Sequence, residues 1–313
     1  MRASTRVAVT ARTVFGLGLV LACAVPLGAQ AVTAFNLRLD NDILALRGHG
    51  APPDYDYTHG LHVHAELSRN PGPLVPLQTC AADGDALPCL RTRLHAGQEI
   101  YTPRRDAPTP LAGERPYAAW LYAGTEATVE EPGRQRALAV QVGIVGPAAL
   151  GEPVQNGVHR LNGSEPQVGW AHQLGTEPGL LVRYRDERVF DADLARLGSA
   201  QLRPGWMVVL GNVHTAAQAG ASARVGAADG CGPFLLLGGS HEWVVRDLFL
   251  DGNTFRGNST ARKLPFVATG EVGAGYGFGR WSIEYRFVAR GRQYHAQPRP
   301  HAYGSLGIQV NRR

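Results

Sequence analysis

The chain alternates apolar and polar side chains with a period of two in several separate stretches. Phe35, Leu37 and Leu39 alternate with Asn36, Arg38 and Asp40, and Leu61, Val63, Ala65 and Leu67 alternate with His62, His64 and Glu66. The rhythm returns at Leu138, Val140, Val142 and Ile144, at Trp281, Ile283, Tyr285 and Phe287, and at Leu306, Ile308 and Val310. Successive side chains of a strand point to opposite faces, so each stretch predicts a strand with one apolar and one polar face. Weaker candidates near residues 92–101, 117–129, 179–186, 203–213, 216–226, 233–247 and 264–277 bring the number to about twelve, separated by clusters of Gly, Pro, Asn and Asp.

Two all-β architectures accept this pattern. A twelve-stranded antiparallel up-and-down outer-membrane β-barrel turns an apolar band to lipid and a polar face to its lumen. The even count and the scattered Trp120, Trp206, Trp243 and Trp281 favour it. A soluble β-sandwich predicts the same alternation, and the chain ends Val310-Asn311-Arg312-Arg313, without the terminal aromatic many barrels carry.

The N-terminus narrows the choice of compartment. Arg2, Arg6 and Arg12 precede an apolar run from Val14 to Leu27, and Gly28-Ala29-Gln30-Ala31 has the form of a signal-peptidase site. Residues 1–31 are therefore expected to be a signal peptide and 32–313 the barrel domain. The apolar run is shorter than the roughly 20 residues of a spanning helix, which disfavours an anchor. Cys23 follows a poor lipoprotein box, so lipidation is not expected.

Charge adds little. The 31 basic and 26 acidic residues give +5, and loss of the three N-terminal arginines leaves 28 against 26, or +2. Nothing in that balance suggests a nucleic-acid partner. In an exported chain Cys80 and Cys89 are expected to form a disulfide, with metal binding the alternative, and Cys231 is left over.

In an up-and-down barrel the connectors after strands one, three and five emerge on one side. They hold Asn41-Asp42 and Asp56-Tyr57-Thr58, then residues 100–118 with Arg104 and Arg105, then residues 154–166 with His159 and Glu165. If strand geometry persists, Asp42 shares a face with Asn36, Arg38 and Asp40, and Thr58 shares one with His62 and His64, so both would point with the polar set.

The chain has no Gly-x-Ser-x-Gly elbow and no His-Glu-x-x-His helix. A different hydrolytic route needs fewer parts: a neutral imidazole takes a proton from water, and a carboxylate holds a hard cation that polarises an ester carbonyl. His159, Asp42 and Glu165 have the right types. The bland readings are solvated loop residues for His159 and turn acceptors for Asp42 and Asp56. His62 and His64 could form a zinc pair but read better as lumen-facing polar filler, with no third ligand evident. Arg115 and Tyr117 read as loop structure, and residues 249–255 as a turn.

Taken in order, Asn41-Asp42, Asp56-Tyr57-Thr58-His59-Gly60, "QEIYTP" from Gln98, "ERPYAAWLY" from Glu114, "GIVGP" from Gly143, "VQNGVHRLNG" from Val154 and "LDGNTF" from Leu250 resemble the outer-membrane lipid A 3′-O-deacylase family over nearly the whole mature chain. The resemblance implies a twelve-stranded barrel in the bacterial outer membrane, in contact with membrane lipids and expected as a monomer. It also implies an esterase that removes the 3′ acyloxyacyl chain of lipid A with Ca2+ and a histidine-activated water. His159 matches the family's general base, and Asn41, Asp42 and Thr58 match its polar cluster. Glu165 matches a carboxylate that helps the histidine, Asp42 the protein group nearest calcium, and Arg104 and Arg105 the basic residues facing substrate. Asp40 stands where the family often has Glu, and His59 where Asn or a small residue is usual. A phospholipid acyl hydrolase and a non-enzymatic pore of the same fold are the competing readings.

Overall fold

The computed structural model describes residues 32–45, 55–68, 79–80, 87–195, 198–227, 231–256 and 261–311; the expected signal peptide lies outside the described residues. The strands run in chain order as β1 (Val32–Asn41), β2 (Asp56–Leu67), β3 (Cys89–Thr102), β4 (Ala118–Glu131), β5 (Arg134–Val145), β6 (Glu177–Arg188), β7 (Phe190–Asp193), β8 (Ser199–Gly211), β9 (His214–Gly226), β10 (Gly232–Asp247), β11 (Phe266–Phe278), β12 (Trp281–Arg290) and β13 (His301–Asn311). Neighbours in sequence pair antiparallel except β6 with β7, and β1 also pairs with β13. Both β6 and β7 pair with β8, over different lengths of it, so they act as one strand interrupted at Val189 and close the ring. The result is a closed antiparallel barrel of twelve long strands, and the sandwich alternative falls. Closure leaves no unpaired edge, which is what a sheet in hydrocarbon requires.

Adjacent residues of one strand reveal the two faces of the wall. Ala118, Trp120 and Tyr122 belong to a buried cluster with Val145, Leu174, Val213, Leu248 and Phe249. Ala119, between them, belongs to a different cluster with Ile100, Tyr117, Ala149 and Trp170. The first fills the mouth of the lumen; the second lies outside the wall. Farther from the rim the outer face exposes Leu121, Val142 and Leu180 to lipid. The lumen instead carries paired charges: Arg91 sits between Glu66 and Glu130, Arg93 bridges Glu66 and Glu126, and Glu242 takes both His214 and Arg290 at 2.9 Å.

At one rim the long connectors knit together. Arg115 and Asp56, both fully buried, pair at 3.1 Å, while Gln297 donates to Asp56 and Gln293 accepts from Arg115 at 2.9 Å each. After β10 the chain turns inward as a single helical turn, α2 (Leu248–Asp251), whose Phe249 stacks on Tyr101. The "LDGNTF" segment expected as a turn is thus partly helical and plugs the mouth. On the opposite rim the expected disulfide joins Cys80 to Cys89, and Cys231, outside that bond, is exposed.

Candidate active site on the outer face of the rim

The connector between β5 and β6 holds a helix absent from the strand-only reading: α1 (Gly151–Asn162). Gly163, at φ 78°, ends it, and the Gly163 and Ser164 amides both return to the His159 carbonyl. The helix buries polar residues. Gln155 accepts from Trp170 Nε1 at 2.9 Å, and Asn156 accepts from the Gln167 amide at 2.8 Å while donating to its carbonyl. The segment before α1 is tied to the wall by Gln98 Nε2, which donates to the Ala149 carbonyl at 2.6 Å, and Val154 packs on the outer cluster around Ile100. Asp106, in the connector after β3, clamps the far side by accepting from the Val168 and Gly169 amides and the Tyr117 hydroxyl. These clamps place α1 against the outside of the barrel.

His159 is 4 % exposed on this helix, with Nδ1 2.7 Å from the Glu165 carbonyl oxygen. A carbonyl can only accept, so the neutral ring carries its proton on Nδ1 and its lone pair on Nε2. The bond uses Glu165's backbone; its side chain is exposed. The carboxylate expected to assist the histidine is replaced in this contact by a main-chain oxygen.

Thr58 corrects the parity argument. A bulge in β2 between Tyr57 and His59 breaks the alternation. Tyr57 turns into the lumen, bonding Asp40 at 3.0 Å and His62 at 3.1 Å. Gly60 makes this possible, since a Cβ there would sit 1.8 Å from the Tyr57 hydroxyl. Thr58 bonds Thr102 at 2.7 Å, and Thr102 shares the outer face of β3 with Gln98 and Ile100. Thr58 therefore points outward, away from His62 and His64. Thr102, the partner that holds it, was not singled out from sequence although it sits in the "IYTP" block.

Asn41 and Asp42 leave the strand at once. Asn41 Oδ1 accepts from the Ile43 amide at 2.8 Å and caps a 3-10 turn, Asp42–Leu44. Asp42, 1 % exposed, accepts from the Tyr55 amide at 3.1 Å. The turn folds over the outer side of β13: a Cβ on Gly304 would lie 2.4 Å from the Leu44 carbonyl, which accepts from Tyr285 at 2.6 Å. So His159, Thr58 and the turn carrying Asp42 share one rim and one side of the wall.

Arg104 and Arg105 differ from each other. Arg104 pairs with Glu114 at 3.6 Å, whereas Arg105 is exposed beside Leu111, Tyr117 and His172. His62 is bonded at both ring nitrogens, Nδ1 to Tyr122 and Nε2 to Tyr57, as the filler reading expects. His64 meets His95 ring to ring.

A model of the family described as outer membrane protein LpxR matches residues 14–312. The chain belongs to the LpxR family. Among solved structures, LpxR from Salmonella typhimurium matches with a TM-score of 0.74 at 20% identity, covering 89% of this chain and 100% of that one. At that identity the likeness is one of fold. The beta domain of the Bordetella autotransporter BrkA is a more distant barrel, at 13% identity over 90% of this chain and 99% of its own, with a TM-score of 0.45. Among curated proteins none matches the sequence. LpxR membership and barrel closure locate the chain in the bacterial outer membrane.

Proposed function

We propose that this LpxR-family barrel is a calcium-dependent lipid A 3′-O-deacylase, a carboxylic ester hydrolase working on the outer face of its own wall. The observation that carries the reading is His159: a buried imidazole, tautomer fixed by a main-chain oxygen, on a helix that shares its rim and its side of the wall with Thr58 and the Asp42 turn.

Held this way, Nε2 is the atom available to take a proton from water as that water adds to the ester carbonyl, and to return it to the leaving sugar oxygen. Thr58 and Asn41 orient water and the ester through hydroxyl and amide groups. Glu165 positions the ring by its carbonyl. Arg105, and Arg104 if it exchanges its Glu114 partner, meet the phosphates of the glycolipid.

The donor set fits a hard cation. Asp42 is a buried carboxylate, and Asn41 and Thr58 add neutral oxygens on the same side of the wall, the types Ca2+ selects. Asp42 would hold the ion, which when bound polarises the carbonyl and offsets the charge of the oxyanion.

Mass spectrometry of lipid A from cells expressing the wild type or His159→Ala, with calcium present or chelated, tests the proposal. Loss of the 3′ chain should require both His159 and calcium. Intact lipid A with cleaved phospholipid would transfer the same chemistry to a phospholipid acyl hydrolase. Neither product under any condition would leave a non-enzymatic barrel, a reading the plugged mouth around Phe249 and Trp120 does not favour.

A further inference from the structure

Helix α1 is amphipathic in the opposite sense to a helix on a water-facing surface. At about 3.6 residues per turn, Gln155, Asn156 and His159 fall on one side, and all three are buried. Val154, Val158 and Leu161, at spacing i, i+4, i+7, fall on another. Val154 is half-buried against the wall cluster, while Val158 is 47% and Leu161 90% exposed. Leu150 before the helix and Val168 after it are exposed too. Pro153, Gly157 and Arg160 fall on the remaining side, and Glu152, in the first turn of the polar side, is exposed.

A helix bordering water turns its apolar stripe to the core. Here the polar stripe is inside and the apolar one outside, the arrangement that suits a surrounding of hydrocarbon. A second observation is positional. The helix lies on the outer face of β3, β4 and β5, at the rim end of the band where Leu121, Val142 and Leu180 face lipid. The exposed stripe of α1 prolongs that band past the ends of the strands.

We propose that the Val158–Leu161 face of α1 docks into the acyl-chain layer of the outer leaflet, so that the cleft between helix and wall opens sideways into the membrane. A lipid acyl chain can then approach His159 along an apolar surface without passing through water. The docking stands on the helix alone; the approach to His159 rests on the proposed hydrolase reading.

The test reads position without turnover. Leu161→Cys in a Cys231→Ser background is labelled with an environment-sensitive fluorophore and placed in phosphatidylcholine nanodiscs, with Arg160→Cys as the control and Val158→Cys as a second probe. Emission from positions 161 and 158 should shift to the blue, and nitroxides on the acyl chains should quench it at least threefold more strongly than at 160. Quenching by aqueous iodide equal to that at 160, with no response to acyl nitroxide, would overturn the proposal. A chain that hydrolyses no lipid A but shows acyl quenching would retain the docking and lose only the approach to His159.

Discussion

His62 and His159 sit on opposite faces of the same wall, and their surroundings give the same side chain opposite duties. His62 faces the lumen, 4 % exposed, held at Nε2 by the Tyr57 hydroxyl with Asp40 3.3 Å away and at Nδ1 by Tyr122. Its imidazole is a strut in a network of Asp40, Tyr57 and Tyr122. His159 faces the gap between helix and wall, where a carbonyl orients it from behind. Burial alone does not separate them; bonding does. Inside, side chains hold the ring at both nitrogens and fix the barrel; outside, a main-chain oxygen aims it.

The two faces are also connected through Asp56. This residue opens β2 at φ 65°, an unfavourable region for a residue with a Cβ, and is held there by Arg115 and Gln297. The bulge that follows sends Tyr57 inward and Thr58 outward. The buried pair thus supports the lumen network and presents Thr58 to the site.

The sharpest way to break the contrast is Arg115→Met. It leaves Asp56 buried without its cation, which costs about 3–5 kcal/mol. Urea unfolding from lipid vesicles should show that loss, with hydrolysis falling alongside it because the bulge relaxes. If stability falls by less than about 1 kcal/mol, the lock on Asp56 is misassigned. That figure is below the range for a broken buried pair.

Gly60→Ala is a smaller perturbation. The new methyl meets the Tyr57 hydroxyl and, at 2.8 Å, His62 Nε2, so Tyr57 must leave its lumen position. Overpacking of this kind costs about 1–3 kcal/mol. The same unfolding measurement checks it, and hydrolysis should fall less than for a change at Thr58 itself. Unchanged stability would mean that Tyr57 has another place to go.

Much of this molecule was legible from its residues. A lipid outside and a polar lumen impose the period of two on nearly every strand, so β1, β2, β5, β12 and β13 stand out, and the weaker windows fall close to the remaining long strands. The shared rim followed from up-and-down order alone. Three features resisted. Helix α1 hides because its buried face is polar, so the apolar periodicity that marks an ordinary helix is turned outward. Thr58 was assigned to the lumen because a bulge adds a residue that no count of alternation contains. Asp42 leaves strand geometry at the Asn41 cap, so its direction could not be extrapolated from Asp40.

Glu165 is the finest test of the difference between type and position. The sequence offers a carboxylate six residues after the histidine, while the structure offers a carbonyl oxygen at 2.7 Å and an exposed side chain. Glu165→Gln keeps the backbone in place and should change the hydrolysis rate by less than about fivefold, because a bond of about 1 kcal/mol or less is at stake for an exposed carboxylate. Glu165→Pro constrains the backbone at that carbonyl, at φ about −65°, and should act more strongly. A rate lowered tenfold or more by Glu165→Gln would mean that the carboxylate itself assists His159 and that the carbonyl contact is secondary. A rate that holds in Glu165→Gln and falls only in Glu165→Pro would assign the orientation of the imidazole to the main chain.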